Sequence, residues 1–138
     1  MPTEVQAMSV QTVEMGVSGP GDANRMFVTN GMIKTHFVLD ANMSATTLSD
    51  TKTYAALVGP PLGGGQFRRA IAIASIKNVY GEYLSGSRVG WDIEEVEADF
   101  DDEHERVELR ITVHLQATRA TILIEDLAFQ ATILAKVE

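Results

Sequence analysis

The side chains best able to do chemistry are concentrated in one short stretch. Residues 92–105 hold nine acids (Asp92, Glu94, Glu95, Glu97, Asp99, Asp101, Asp102, Glu103 and Glu105) and no Lys or Arg. Asp99, Asp101 and Asp102 place carboxylate oxygens around a polar turn, and calcium takes such oxygens as ligands. A calcium site on these three is one reading, although the spacing matches no calcium loop and the turn holds no glycine. The other is a solvated hairpin tip whose charges keep a strand edge from pairing with another chain, with no cofactor. Asp40-Ala41-Asn42-Met43-Ser44 opens like a calcium loop. It then places Ala45 where such a loop needs glycine and Thr51 where it needs glutamate.

Other chemistries find less to work with. There is no cysteine, which removes disulfides, thiol catalysis and cysteine-ligated zinc or iron–sulfur sites. His36, His104 and His114 lack metal-ligand spacing among themselves; His114 with an acid from a neighbouring strand is the only zinc combination to consider. No serine sits in a nucleophile-elbow pattern. Glu94, Glu95 and Glu97 are too crowded with other acids to single out a glycosidase pair. Gly63-Gly64-Gly65 lacks the Lys and Ser or Thr that follow a phosphate-binding loop. It reads as a mobile connection, with Arg68 and Arg69 nearby to meet an anion or an acidic partner. Trp91, Tyr80, Tyr83 and Phe67 carry stacking area for a small molecule or glycan, or else pack in the core.

The formal net charge is −8, but outside 92–105 ten acids face eleven bases. Phosphate binding needs a basic surface, so nucleic acid is not an expected partner. No segment approaches the 18 consecutive apolar residues of a membrane-spanning helix. No basic region followed by an apolar run marks a signal peptide. A soluble protein, cytoplasmic or released without a cleaved signal, is the expectation. Met8 is an alternative start, with residues 1–7 an upstream extension.

The elements that would position these groups read as strands. Val107, Leu109, Ile111, Val113 and Leu115 alternate with Glu108, Arg110, Thr112 and His114, the period of a half-buried strand. Residues 1–24 are ambiguous, partly extended or flexible, with a short strand at Val13–Val17. Asn30-Gly31 reads as the type I′ turn of a hairpin across Arg25–Asp40. Ala41–Thr53 reads as a loop and Tyr54–Val58 as a strand. Phe67–Leu84 reads as a strand ending near Ser85-Gly86-Ser87, with a helix as the competing reading because alanine favours it; its Ala70, Ala72 and Ala74 allow close approach of another layer. In Val89–Phe100 the apolar set changes phase: Val89, Trp91 and Ile93 share one face and Val96, Ala98 and Phe100 the other. A bulge at Glu94-Glu95, or a strand crossing between sheets, would produce this. Trp91 and Ile93 would then cover a second sheet or form a patch for a partner.

Thr118-Arg119-Ala120 connects to a last strand with Leu123, Leu127, Phe129, Ala131, Ile133, Ala135 and Val137 on one face. Pairing the last three strands as a meander sets Phe100 opposite Val107, Ala98 opposite Leu109, Val96 opposite Ile111, Glu97 opposite Arg110, Asp99 opposite Glu108 and Ile93 opposite His114. The count is about seven strands in one domain over 1–138. The expected fold is an all-β antiparallel sandwich or jelly-roll-like domain with a C-terminal three-strand meander; a closed barrel is second. The expected function is non-enzymatic: self-association or protein binding as a structural or accessory subunit. A ligand-binding barrel is the alternative, and a calcium-dependent module or hydrolase comes after it. Trp91, Ile93, Tyr80, Tyr83, Arg68 and Arg69 are the candidate ligand or interface residues.

Overall fold

The computed structural model describes residues 2–19 and 22–136, the side chains of 18–19, 22–23 and 82–85 excepted. The chain is all β. Its strands are β1 (Thr3–Glu4), β2 (Ala7–Gly19), β3 (Asp22–Asp40), β4 (Leu48–Val58), β5 (Phe67–Asp101) and β6 (Arg106–Lys136). They form one curled sheet, a half-barrel, antiparallel except for the short β1–β4 pair. Six strands become seven pairing segments when β5 is divided where its ladder breaks, between Tyr83 and Arg88.

β6 is the axis. β5 runs along one of its edges for its full length. β4 occupies the other edge opposite Val107–Ala117, and β3 continues there opposite Thr121–Lys136. With both edges paired, every second side chain of β6 turns into the core. From Val107 through Leu115, and again at Ile122, Ile124, Leu127 and Ile133, the inward side chains are fully buried. Burying each such side chain stabilises by about 1.5–3 kcal/mol.

The inward set is odd-numbered to Ala117, even-numbered from Ala120 to Ile124, and odd-numbered again from Leu127. Each change of phase needs an irregular residue, as a bulge supplies. At the first, Arg119 takes φ +52°. At the second, β3 shifts register between Lys34 and Phe37 and β5 between Asn78 and Val79. Glu125 staples this second irregularity: its carboxylate meets His36 Nδ1 at 3.0 Å and Lys34 Nζ at 3.3 Å. The His36 hydrogen bond, then Lys34, hold the Glu125 carboxyl below its usual range. Thr35 Oγ1 donates to the Ile124 carbonyl at 2.7 Å.

Straight, a 31-residue strand would span about 100 Å. Here the eight residues 59–66, which reach at most about 28 Å, connect the two ends of β6. Leu62 N donates to Glu105 O at 2.8 Å, Lys136 N donates to Gln66 O at 2.7 Å, and the Phe67 ring stacks on Phe100 at 5.2 Å. The strand therefore curls until its ends share one core. Leu62 is buried there, so the Gly-rich stretch is tied at both ends.

Several expectations are corrected. Asn30-Gly31 is not a turn: β3 runs straight through it, with Gly31 opposite Phe129. A Cβ on Gly31 would lie 2.8 Å from Phe129 Cζ and 3.1 Å from the Met8 carbonyl oxygen, so glycine is required there by close approach. The hairpin partner of β3 is β2, and Gly19 pairs with Asp22; the residues between them lie outside the described set. The C-terminal meander is also overturned: 107–117 and 123–136 are consecutive parts of one strand, and Thr118-Arg119-Ala120 lies within it. Likewise β5 continues through 85–87, and β4 begins at Leu48 inside the expected loop. Leu123 faces outward while Ile122 and Ile124 face the core; the irregularity at Glu125 reverses the expected phase.

The β5–β6 hairpin is as expected near its tip. Phe100 faces Val107, Ala98 Leu109 and Val96 Ile111, with Glu97 opposite Arg110 and Asp99 opposite Glu108. The register shifts between Ile93 and Glu95, so Ile93 faces Val113 rather than His114. That bulge returns Val89 and Ile93 to the same core as Val96, Ala98 and Phe100. They do not face away from each other, and Ile93 is not an exposed patch.

Candidate interaction surface

In the half of the sheet ordered β5–β6–β3–β2, the inward residues are packed and the outward residues are mostly apolar. Four cross-strand rows follow from the register. Ile71, Thr132, Val28 and Val13 make the first. Ile73, Gln130, Asn30 and Gln11 make the second. Arg69, Leu134, Met26 and Met15 make the third, and Ser75, Ala128, Met32 and Met8 the fourth. Arg69 is the only charged residue among them. Ile71 is 64% exposed, Ile73 67%, Val13 59% and Met15 43%. A hollow of about 370 Å³ opens beside Ile73, floored by Gly31 and Ala128. At about 4.8 Å per strand and 3.3 Å per residue, the face measures roughly 19 by 25 Å, on the order of 500 Å². A face of that size is comparable to the largest apolar patch of a typical single chain, which is often functional.

The arrangement follows from the strand period. Ala70, Ala72, Ala74 and Ile76 turn inward and pack on the core, the close approach that their small size allows. Alternation then obliges Ile71 and Ile73 to point out. The sequence signal was present in this isoleucine–alanine alternation, but pattern alone does not say which set is buried.

Among the described residues β5 has no strand on its second edge, since it pairs with β6 alone, and β2 pairs with β3 alone. β5 therefore presents a long row of unpaired backbone groups. Acids guard its far part, where Asp92, Glu94, Glu95, Glu97, Asp99 and Asp101 fall, a common protection against edge pairing. Its first part has no acid from Phe67 to Gly81.

The expected site residues are not assembled into one place. Trp91 stands opposite Leu115 and is half exposed, whereas Tyr80 stands opposite the outward-facing Leu123. Eight positions of β6 and the break in the β5 ladder separate them, and they belong to opposite faces. The side chain of Tyr83 lies outside the described residues. Arg68 is the extra residue of a bulge between Phe67 and Arg69; both arginines are exposed at the start of β5. Ile71 and Ile73, about two-thirds exposed on this face, are not among the candidate residues that the sequence singled out by name.

At the acidic tip, Asp101 joins Glu103 and His104, whose ligand atoms lie within 4.8 Å of one another. Asp99 and Asp102 are not part of that group. Asp101 is occupied by the turn itself: Oδ1 accepts from Glu103 N at 2.9 Å and Oδ2 meets His104 Nδ1 at 2.7 Å. Asp99 Oδ1 accepts from Phe100 N. The Asp101–His104 hydrogen bond holds the Asp101 carboxyl below its ordinary range and the His104 imidazole above its own. The stabilisation from His104 is therefore complete below about pH 6.5 and is lost as pH rises through its raised folded pKa. That from Asp101 is present above its unfolded pKa and is lost as pH falls through the depressed one. In an NMR titration His104 should titrate above 6.5, and in Asp101→Asn its midpoint should fall. An unchanged midpoint would show that the contact does not set it.

At the Asp40–Ser44 stretch the carboxylate is likewise held by its surroundings, since Asp40 Oδ1 accepts from Asn42 N and Thr121 Oγ1. His114 Nδ1 meets Thr51 Oγ1 at 2.8 Å and lies 3.5 Å from Glu94. Glu95 and Glu97 line a polar groove of about 480 Å³ with Thr51, Thr53, Arg110 and Thr112. A hydrogen bond from Glu95 raises the Glu97 carboxyl, against the pull of Arg110.

No helix among the described residues is long and apolar enough to cross a membrane. No family model, curated protein or solved structure matches the chain.

Proposed function

We propose that this protein is a non-enzymatic β-subunit that acts by self-association, as a structural or accessory component of a larger assembly. The observation that carries the reading is the mostly apolar outer face of β5–β6–β3–β2, with Ile71 and Ile73 about two-thirds exposed beside an edge that no strand covers among the described residues. A sandwich-like description belongs to the same reading. The Phe67–Phe100 stack and the crossing of residues 59–66 support two sheet halves closing on one core.

The test is solution mass by light scattering behind size exclusion, with calcium and with EDTA. A defined dimer or higher oligomer in both is expected. A monomer in both, at concentrations up to the highest that remain clear, would remove the proposal. An oligomer seen only with calcium would replace it with a metal-dependent one at the acidic tip.

A further inference from the structure

We infer that the partner on the β5 edge is the same edge of a second copy, paired antiparallel about a twofold axis at Ala72. This rests on the self-association proposed above and specifies its contact. Three observations converge on it.

The first is regularity. The β5 ladder is interrupted at Arg68, near Lys77 and Asn78, between Tyr83 and Arg88, and at Glu94. Bulges twist an edge out of reach of another strand. Arg69–Ile76 is an uninterrupted run of eight residues, in register with Leu134–Leu127 of β6. No backbone hydrogen bond from it to any turn or loop occurs among the described residues.

The second is composition. The run reads Arg-Ala-Ile-Ala-Ile-Ala-Ser-Ile: no proline, no glycine, no acid, and one charge at its end. Strand edges of this kind pair with other strands.

The third is register. A twofold perpendicular to the sheet keeps inward residues opposite inward ones, so only registers centred on a residue are allowed. Centred on Ala72, Ile71 of each copy stands opposite Ile73 of the other, Ala70 opposite Ala74, and Arg69 opposite Ser75. Beyond the run, Arg68 falls near Ile76 and Lys77 near Phe67. Centred on Ile73, Arg69 stands opposite Lys77 of the second copy at both ends, and like charges directly opposed destabilise. The Ala72 register opposes no like charges and makes two cross-strand isoleucine pairs on the outer face. An isologous contact of this kind closes with two copies, whereas pairing β5 with β2 of the next copy need not close. The product is a continuous eight-strand sheet, β2–β3–β6–β5 followed by β5–β6–β3–β2 of the second copy.

The chain has no cysteine of its own, so introduced thiols report contacts cleanly. Directly opposed residues bring Cβ atoms to about 4.5–5.5 Å, near disulfide range. Ile71→Cys and Ile73→Cys, both at outward positions, are oxidised separately and as an equimolar mixture, and the covalent dimer is read on a non-reducing gel. The expected result is a dimer from the mixture at least tenfold more abundant than from either variant alone. Ala72→Cys, on the axis, should cross-link by itself. A dimer from Ile73→Cys alone would overturn the Ala72 register. Absence of cross-links while light scattering still shows an oligomer would overturn β5–β5 pairing and leave self-association standing. A monomeric parent protein would remove both.

Discussion

Ile71→Lys/Ile73→Lys is expected to be a folded monomer at concentrations where the parent protein is an oligomer, with a melting temperature within a few degrees of the parent. Both side chains are about two-thirds exposed in the single chain, and surface substitutions away from special features usually change stability by no more than about 0.5 kcal/mol. Association is different. In the paired edges each Ile71 stands opposite an Ile73 of the second copy, and the two cross-strand pairs contribute about 0.2–1 kcal/mol each, so losing both weakens association by roughly 2- to 30-fold. Lysine also brings charge to each side of the axis, and lysines are a natural guard of strand edges. Circular dichroism and light scattering on one sample check both halves of the expectation. An unchanged mass with a native spectrum would show that this part of β5 is not the contact.

The second large effect lies at two glycines within strands, Gly16 and Gly31. Gly16→Ala should be neutral or stabilise by about 0.4–1 kcal/mol, because a Cβ at position 16 meets nothing within 4 Å and glycine costs entropy on folding. Gly31→Val should destabilise by about 2–3 kcal/mol, although valine favours a strand, because its Cβ would press on the Phe129 ring and the Met8 carbonyl in a packed core. Phe129 is buried, so the ring has little room to yield. Phe129→Leu alone costs packing, yet in the Gly31→Val background it should recover part of the loss. The double-mutant cycle in urea should show a coupling of about 0.5–3 kcal/mol. Strict additivity would mean that the ring does not lie over position 31, and a Gly31→Val variant as stable as the parent would restore the turn reading of Asn30-Gly31.

These positions show how far the chain can be read without its fold. The tip of the β5–β6 hairpin was legible down to the pairing of Phe100 with Val107, including the bulge at Glu94. There the partner strands are a few residues apart, and the phase of one fixes the other. The acidic tip was legible as a solvated turn by composition, though which acids meet there was not: Asp101 finds Glu103 and His104 rather than Asp99 and Asp102. The candidate surface was legible as alternation, but its sense was not. Ala70–Ala74 and Ile71–Ile73 follow the same period, and only the curl of β6 decides that the smaller set faces inward.

Local alternation, the absence of cysteine and the position of the acids were enough for an all-β chain and for the register of its closest hairpin. The length of β6, the passage of β3 through Asn30-Gly31 and the exposure of Ile71 and Ile73 were decided by tertiary structure. The reason is the same in each case. A residue that breaks the strand period locally, such as Gly31, Arg119 or Glu125, ends a strand when its backbone is left to water. It becomes a bulge or a close approach when partners distant in sequence, here β3, β4 and Phe129, satisfy the backbone on either side and bury what lies between.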